Sequence, residues 1–272
     1  MAEITAAVVK ELRERTGSGM MDCKKALAET GGDMEKAIDY LREKGLAKAA
    51  KKAERTASDG RIFQCVSEDG KLGVLLELNS ETDFVAKTDE FNDLGRAIVK
   101  EIAEKNPADV NALSEPIKAQ VTAAIAKLGE NIVVKRFARY VADDSCVFQY
   151  VHNNFKVGVL LELAPASNDA AFAELGHSVC MQVAAMNPAY VKREDVPEDV
   201  LDRERAVYRQ QLLDEGKPAD RLDKIIEGKL RKYYETACLV EQEYIRDGDK
   251  KIKDLLGKSV TVKRFARFSI GE

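Results

Sequence analysis

The first part of the chain alternates helically spaced apolar side chains with glycine-marked turns. One such segment ends at residues 16–19, a second follows with Asp22 as its candidate N-cap, and a third begins after Asp33 and ends at Gly45. The basic, alanine-rich stretch that comes next is typical of a solvated helical linker. The pattern predicts a three-helix module with its linker over residues 1–55, in an arrangement that resembles the ubiquitin-associated fold.

Met20 and Met21 fall in the predicted turn between the first two helices. Flexible thioether side chains adapt well to the surface of a partner protein, so an exposed pair would suit protein binding. Methionine is also a common core residue, and the same side chains could equally be buried inside the module. The sequence alone does not choose between these interpretations.

An internal repeat organises the rest of the chain. Each copy has the pattern of a β-hairpin, an amphipathic helix and a third strand, which indicates an antiparallel sheet with helices on one face. We therefore predict the α+β class, with one subdomain at residues 56–140 and a second at residues 141–272. The matching segments are 62–64 and 147–149, 72–78 and 157–163, 91–95 and 172–176, and 134–140 and 262–268.

The second copy is longer than the first by 47 residues after its helix, at about residues 197–248. Apolar residues at helical spacing, among them Val207 and Leu212 before the break and Ile226 and Leu230 after it, predict an antiparallel helical hairpin there. The hairpin either covers the second sheet or projects as an arm for partner contact. Since the first copy folds without such an element, the arm is favoured.

The first copy, in turn, has four more residues after its second strand, in a segment that contains Thr82, Asp83, Phe84 and Val85. Because the second copy folds with a shorter loop, the architecture does not require them. An aromatic ring beside a carboxylate suits insertion into a partner's pocket, since a ring buries a large apolar area with few rotatable bonds. Alternatively, Thr82 or Asp83 caps the next helix and Phe84 packs into its own core, and the residue types alone favour this alternative.

The charge balance gives little support to a nucleic-acid-binding protein. The chain has 43 basic and 47 acidic side chains, a net charge of −4, whereas nucleic-acid binders must neutralise phosphates. Its five cysteines are scattered without a C-x-x-C pair, which argues against a secreted disulfide framework. Its apolar runs are shorter than a membrane span, and its N-terminus lacks the apolar core of a signal peptide. These features predict a cytoplasmic protein without membrane association that binds another protein.

Signatures of catalysis and of cofactor binding are missing from the sequence. It has no phosphate-binding glycine loop, no dinucleotide fingerprint and no nucleophile elbow, so we expect no direct nucleotide binding and no enzymatic activity. Neither His152 nor His177 has cysteine or carboxylate neighbours at ligand spacing, and we predict neither a metal site nor a cofactor. His152 follows a predicted strand in a turn, where a partner contact and an ordinary surface histidine fit the sequence equally well.

Two stretches of sequence connect the chain with a known family. Residues 12–27 (LRERTGSGMMDCKKAL) and residues 82–86 (TDFVA) closely resemble signature stretches of the bacterial elongation factor Ts family, and the resemblance extends over essentially the whole chain. It implies a guanine-nucleotide exchange factor that binds the GTPase elongation factor Tu and expels its GDP, with a dimer or a 2:2 complex as possible assemblies. Two classes compete with this interpretation, a ubiquitin-type binding module and an RNA-binding module without exchange activity.

The resemblance also assigns residues. In the family, the Thr-Asp-Phe-Val stretch intrudes beside the nucleotide site of the GTPase and helps to dislodge its magnesium ion, a role that carries over to residues 82–85. The N-terminal module grips the nucleotide-binding domain, which implies contacts from Arg13, Met20 and Met21. The family histidine that follows a Tyr-x-His strand matches His152.

Overall fold

A computed structural model of the chain describes residues 4–272, in which the first three helices share a core of their own. The first and third of these helices are capped by side chains close to them in the sequence. Thr5 Oγ1 accepts a hydrogen bond from the backbone N–H of Val8 at 3.4 Å, and the Asp33 carboxylate accepts one from that of Lys36 at 3.1 Å. The helices are α1, Ala6–Thr16, α2, Met20–Glu29, and α3, Met34–Lys52, and their buried residues include Leu12, Cys23, Leu27 and Ala37. The likeness of this unit to the ubiquitin-associated fold stays a prediction.

The prediction that Asp22 caps the second helix is wrong. The N-cap of α2 is Gly19, and the helix begins at Met20, so Met20 and Met21 form its first turn instead of preceding it. The Asp22 carboxylate accepts a hydrogen bond from Lys48 Nζ at 3.0 Å. The carboxylate that local sequence predicts as a helix cap therefore pairs with a lysine on α3 instead.

The third helix is longer than predicted. It continues beyond Gly45 to Lys52, so the basic stretch predicted as a helical linker forms the last turns of α3. A Cβ atom at Gly45 would lie 3.6 Å from the Cβ of Ala126 in a later helix, which is ordinary van der Waals contact. Packing of this kind stabilises helical turns that local propensity leaves marginal.

The rest of the chain contains two antiparallel three-stranded sheets and their helices, which confirms the predicted α+β class. The strands are β1, Asp59–Val66, β2, Leu72–Ser80, β3, Val133–Val141, β4, Cys146–Val151, β5, Val157–Ala164, and β8, Thr261–Ser269. The strand order is β1-β2-β3 in the first sheet and β4-β5-β8 in the second, so the middle strand of each sheet is the second strand of its copy. The helices that accompany them are α4, Asp83–Ala86, α5, Asp89–Lys105, α6, Glu115–Leu128, and α7, Ala170–Met186.

The two sheets pack face to face, and helices cover their outer faces. Apolar side chains from both copies, such as Leu75 and Leu160, form the layer between the sheets. The outer face of the first sheet packs on α5 and α6 around Phe91, and that of the second packs on α7 around Phe172. Since both faces of each sheet are covered, the strand ends and turns are the parts of the sheets left for contact with other molecules.

The two copies anchor each other by equivalent contacts. Lys71, in the hairpin turn of the first copy, donates a hydrogen bond to the backbone carbonyl of Ser145 at 3.0 Å. Lys156, at the same position in the second copy, donates one to the carbonyl of Gly60, also at 3.0 Å. Each copy therefore holds the start of the other's first strand, and the copies are related by approximate two-fold symmetry.

The buried glutamates of the repeat have structural partners. Glu77 and Glu162 each accept a hydrogen bond from an arginine on the neighbouring strand, Arg136 Nε at 2.6 Å and Arg264 Nε at 2.6 Å. Such pairing is what permits a carboxylate to be buried. The same guanidinium groups lie over rings of the opposite copy, Arg136 4.5 Å from the centroid of Phe268 and Arg264 4.0 Å from that of Tyr140.

A pair of helices, α8, Glu198–Asp214, and α9, Leu222–Ala237, occupies most of the extra segment of the second copy. Leu212, Ile226 and Leu230 are buried between them, whereas Val207 lies on α8 as predicted but is 44% exposed. After α9 the chain forms a two-stranded ribbon and a short helix before it returns to the second sheet. These elements are β6, Glu243–Tyr244, β7, Asp247–Lys251, and α10, Ile252–Leu256.

Candidate partner-binding site

The extra residues of the first copy form the one-turn helix α4. Thr82 is its N-cap, and the hydroxyl oxygen of Thr82 accepts a hydrogen bond from the backbone N–H of Val85 at 3.5 Å. Val85 and Ala86 point into the core of the first subdomain, whereas the ring of Phe84 is 79% exposed. Thr82 therefore caps a helix, but this helix is the unpredicted α4, whereas the predicted amphipathic helix α5 is capped by Thr88. The interpretation that placed Phe84 in the core is wrong.

Side chains from distant parts of the chain fix the position of α4. The Glu130 carboxylate accepts hydrogen bonds from the backbone N–H of Thr82 at 2.9 Å and from its hydroxyl at 2.6 Å. Ser80 Oγ donates to the Thr82 carbonyl at 2.8 Å, and the Glu81 carboxylate accepts from the backbone N–H of Asn131 at 2.7 Å. The exposed ring is thus presented on a rigid support, which lowers the entropy lost when such a ring is bound.

Asp83 precedes Phe84 in α4, and two lysines act on its carboxylate. Lys87 Nζ donates a hydrogen bond to it at 2.5 Å. This bond, together with the charges of Lys87 and Lys156, lowers the pKa of Asp83 below its ordinary value. The site therefore combines an apolar ring with a carboxylate that stays ionised at neutral pH.

The turn that contains His152 lies at the same end of the sheets as α4. Lys156, which closes this turn, forms an ion pair with Asp59, and Asp59 is the strand partner of Ser80 just before α4. The His152 ring is exposed, and its Nδ1 lies 2.9 Å from the hydroxyl of Tyr150. The structure therefore brings together two segments that sequence reasoning singled out separately.

Arg13, Met20 and Met21 lie on the three-helix unit and are exposed, with 45% exposure for Met20 and 74% for Met21. The interpretation that buries the methionines is wrong. The Cys23 thiol contacts the carbonyl of Ser18 at 3.7 Å and the hydroxyl of Thr16 at 3.9 Å, which holds the turn that leads into α2. Within the described residues, no hydrogen bond or ion pair links these three side chains to α4, so they form a separate candidate contact.

Sequence reasoning missed three residues of the site. Glu130 gave no signal because it is 48 residues from the threonine that it holds. Lys156 and Phe155 belong to the turn after His152, where Phe155 is 45% exposed. A signal for Phe155 did exist, since the equivalent residue of the first copy is Gly70, and an exchange of glycine for an aromatic residue inside a repeated turn calls for an explanation.

The part of the chain that the structure describes has no feature typical of a metal site or of a membrane-spanning helix. Over residues 4–272 there is no group of three or more potential metal-ligating side chains. None of the helices in this range combines the length and apolar character that a membrane crossing requires. A broad cleft does separate the three-helix unit from α5 and α6, lined by Tyr40, Leu41 and Ala123 among others, but it contains none of the predicted site residues.

Comparison with known proteins finds relatives along the whole chain. A family model described as "Elongation factor TS" matches residues 81–272. The chain is 46% identical over 284 residues to "Elongation factor Ts" of Symbiobacterium thermophilum, with 100% of this chain and 93% of that protein covered. It is 47% identical over 281 residues to the protein of the same name from Aquifex aeolicus, with 97% and 96% covered. For that of Clostridium perfringens strain SM101, identity is 45% over 283 residues, with 99% and 93% covered.

Proposed function

Because the chain belongs to the elongation factor Ts family, we propose that it is a cytoplasmic guanine-nucleotide exchange factor, which releases GDP from the GTPase elongation factor Tu during translation elongation. The observation that carries this proposal is the exposed ring of Phe84 on an anchored helix whose next two side chains, Val85 and Ala86, are buried. An isolated fold gains little from an exposed ring on a rigid support, whereas a protein interface gains a preorganised aromatic contact.

In the proposed mechanism, α4 enters the GTPase beside its bound nucleotide. The Phe84 ring fills an apolar pocket, and the Asp83 carboxylate brings negative charge close to the magnesium ion of the GTPase. A magnesium ion held beside the phosphates would neutralise part of their negative charge and so add to the affinity for GDP, and its displacement would weaken nucleotide binding. Thr82 and Val85 act by holding the helix in place through the cap and the buried contact already described.

The other candidate residues supply affinity and orientation. Arg13 and the exposed pair Met20 and Met21 offer a contact for the nucleotide-binding domain of the GTPase, since methionine side chains adapt to varied apolar surfaces. His152 offers an exposed polar contact on the β4–β5 turn. Together these contacts hold the GTPase while α4 acts on the nucleotide site.

The energetics follow from linkage. A factor that binds the nucleotide-free GTPase more tightly than the GDP-bound form weakens GDP binding by the same factor. To accelerate release a thousandfold, it must lower the barrier by about 4 kcal/mol, at about 1.4 kcal/mol per decade. No covalent bond is made or broken, so the proposed activity is exchange and not enzymatic chemistry.

The test is the rate at which elongation factor Tu releases fluorescent GDP with the parent protein and with the double variant Asp83→Ala/Phe84→Ala. The parent is expected to accelerate release strongly, and the double variant to lose most of the effect while its thermal unfolding midpoint is unchanged. Val141→Ala, which truncates an apolar side chain that is 58% exposed elsewhere on the surface, serves as the matched control. If the parent does not accelerate release, the exchange function is wrong. If the parent accelerates release and the double variant does so equally well, the role of α4 is wrong.

A further inference from the structure

The turn between β4 and β5 contains an aromatic residue in a backbone conformation that favours glycine. Phe155 has a φ of 59°, and within residues 4–272 the other non-glycine residues with positive φ are Asn106 and Asn187. Asparagine tolerates this conformation because its short side chain bonds to the local backbone. For a bulky ring the conformation is strained, and strain of this kind is found preferentially at functional sites.

The first copy of the repeat shows that the fold does not need this ring. Gly70 occupies the equivalent position with a φ of 67°. The Gly70 carbonyl accepts a hydrogen bond from the backbone N–H of Val147 at 2.8 Å, and the Phe155 carbonyl accepts one from that of Ile62, also at 2.8 Å. A glycine at position 155 would keep the same backbone contacts without strain. The phenyl ring therefore has a role that the architecture does not explain.

Contacts within the chain also do not explain why position 155 carries a phenyl ring. Phe155 lies over the guanidinium group of Arg61, 4.7 Å from the ring centroid, yet the residue remains 45% exposed. A cation–π contact at such an exposed place is weak. The ring is thus supported from one side and open on the other, as expected of a group that another molecule covers.

The residues that support Phe155 also support α4. Arg61 donates a hydrogen bond to Asn92 Oδ1 at 2.9 Å, and Asn92 Nδ2 donates one to the carbonyl of Thr88, just after α4, at 2.7 Å. On the other side, the charge of Lys156 acts on the Asp83 carboxylate. The residues that support Phe155 are thus linked on both sides to α4, which carries Phe84.

We propose that Phe155 is a second aromatic contact with the GTPase, next to that of Phe84. The proposal rests on the proposed exchange function and deepens it, because it extends the contact surface from α4 to the β4–β5 turn. The surface that Phe155 meets is an apolar part of the nucleotide-binding domain beside the pocket for Phe84. Two rings held on rigid supports lose little conformational entropy on binding, which favours the complex.

The variant Phe155→Gly tests this proposal by installing the residue that the first copy uses. The second-order rate of fluorescent GDP release from elongation factor Tu is expected to fall about tenfold, the size typical of losing one well-packed interface ring. The thermal unfolding midpoint is expected to stay the same or to rise, because relief of strain offsets the lost contact with Arg61. Phe155→Tyr keeps the ring and should retain the parent rate, and Val141→Ala again serves as the surface control.

The outcomes separate this proposal from the broader one. If the parent accelerates release and Phe84→Ala abolishes the effect, while Phe155→Gly matches the parent, the exchange function stands and the role of Phe155 is overturned. A loss of activity in Phe155→Gly that comes with a lower unfolding midpoint overturns it as well, because the ring would then act on the fold. A loss of activity at an unchanged or higher midpoint, with retention by Phe155→Tyr, supports it.

Discussion

Glu130 holds Thr82 with both oxygens of its carboxylate, one on the backbone N–H and one on the hydroxyl. A carboxylate can only accept hydrogen bonds, so it fixes the hydroxyl hydrogen of Thr82 and leaves the hydroxyl oxygen free to accept from Val85. The cap of α4 therefore depends on a residue far away in the sequence.

Replacement of this carboxylate should loosen α4. Glu130→Gln puts an N–H donor next to the Thr82 donors and is expected to lower the free energy of unfolding by about 1.5–3 kcal/mol, the range for a hydrogen bond to a charged group. GDP release should slow because Phe84 is no longer held rigidly. Urea unfolding and the release assay measure both effects, with Glu104→Gln, on the exposed side of α5, as the control. A variant with full exchange activity would show that α4 does not need this anchor.

The exposed methionines at the start of α2 should affect binding without affecting the fold. Met20→Ala/Met21→Ala is expected to weaken binding to the nucleotide-free GTPase by about tenfold, as expected for two truncated interface side chains at about 1.4 kcal/mol per decade. The unfolding transition should not move to lower temperature, since alanine is a strong helix former. Isothermal titration calorimetry measures the affinity. The control is Leu46→Ala, because Leu46 is an apolar residue on α3 that is also exposed, at 54%. Equal affinities of the two variants for the GTPase would exclude a contact through the methionines.

Two glycines within helices should respond to alanine in opposite ways. A Cβ atom at Gly95 in α5 would approach the ring of Phe63 to 2.4 Å, whereas one at Gly228 in α9 would meet no atom within 4 Å. Gly95→Ala is expected to lower the free energy of unfolding by about 1–3 kcal/mol through overpacking. Gly228→Ala is expected to raise it by about 0.5–1 kcal/mol, because glycine loses more backbone entropy in a helix. Denaturant unfolding of the two variants compares them directly, and a stabilising effect of Gly95→Ala would contradict the packing of Phe63 on α5.

Stability at alkaline pH should depend on Tyr140. Burial raises the pKa of Tyr140 to about 12, with the positive charge of Arg264 opposing the shift and the Glu162 carboxylate adding to it. A tyrosine in the unfolded chain titrates near pH 10, so between about pH 10 and 12 the unfolded state has released a proton that the folded state keeps. The free energy of unfolding therefore falls in this window, by up to about 1.4 kcal/mol per pH unit.

The variant Tyr140→Phe removes this contribution by copying Phe268, which occupies the equivalent position in the second copy. Its loss of stability above about pH 10 should be smaller than that of the parent, while the two proteins should be similar near neutral pH. Urea unfolding below and above that pH provides the comparison. Parallel losses in parent and variant would assign the alkaline sensitivity to other groups.

Repetition made much of the fold predictable. Two segments with the same order of strands and helix need the same packing, and turn residues such as Asp69-Gly70 mark where each hairpin closes. The start of α2 was placed wrongly because the carboxylate of Asp22 has a partner, Lys48, that is distant in the sequence. Local signals describe what a residue can do, and tertiary contacts select among these options.

The candidate site was predictable only in part, for the same reason. The residue types around Phe84 fit a buried ring as well as an exposed one, and what decides between them is that Val85 and Ala86 fill the core position instead. The family resemblance pointed to this stretch, whereas the residue types alone favoured burial. For Phe155 the information was present in the sequence, in the comparison with Gly70, but its meaning depends on the backbone angle that both residues share.

The reciprocal anchoring of the two copies also bears on how many partners a chain can engage. A duplicated scaffold has two equivalent ends, but in this chain the two ends carry different segments. That end carries α4 together with Phe155, while the opposite end has the shorter, non-helical segment 165–169 together with Gly70. One chain therefore presents this combination once and in one direction, so a larger assembly can gain further copies of it only by adding whole chains.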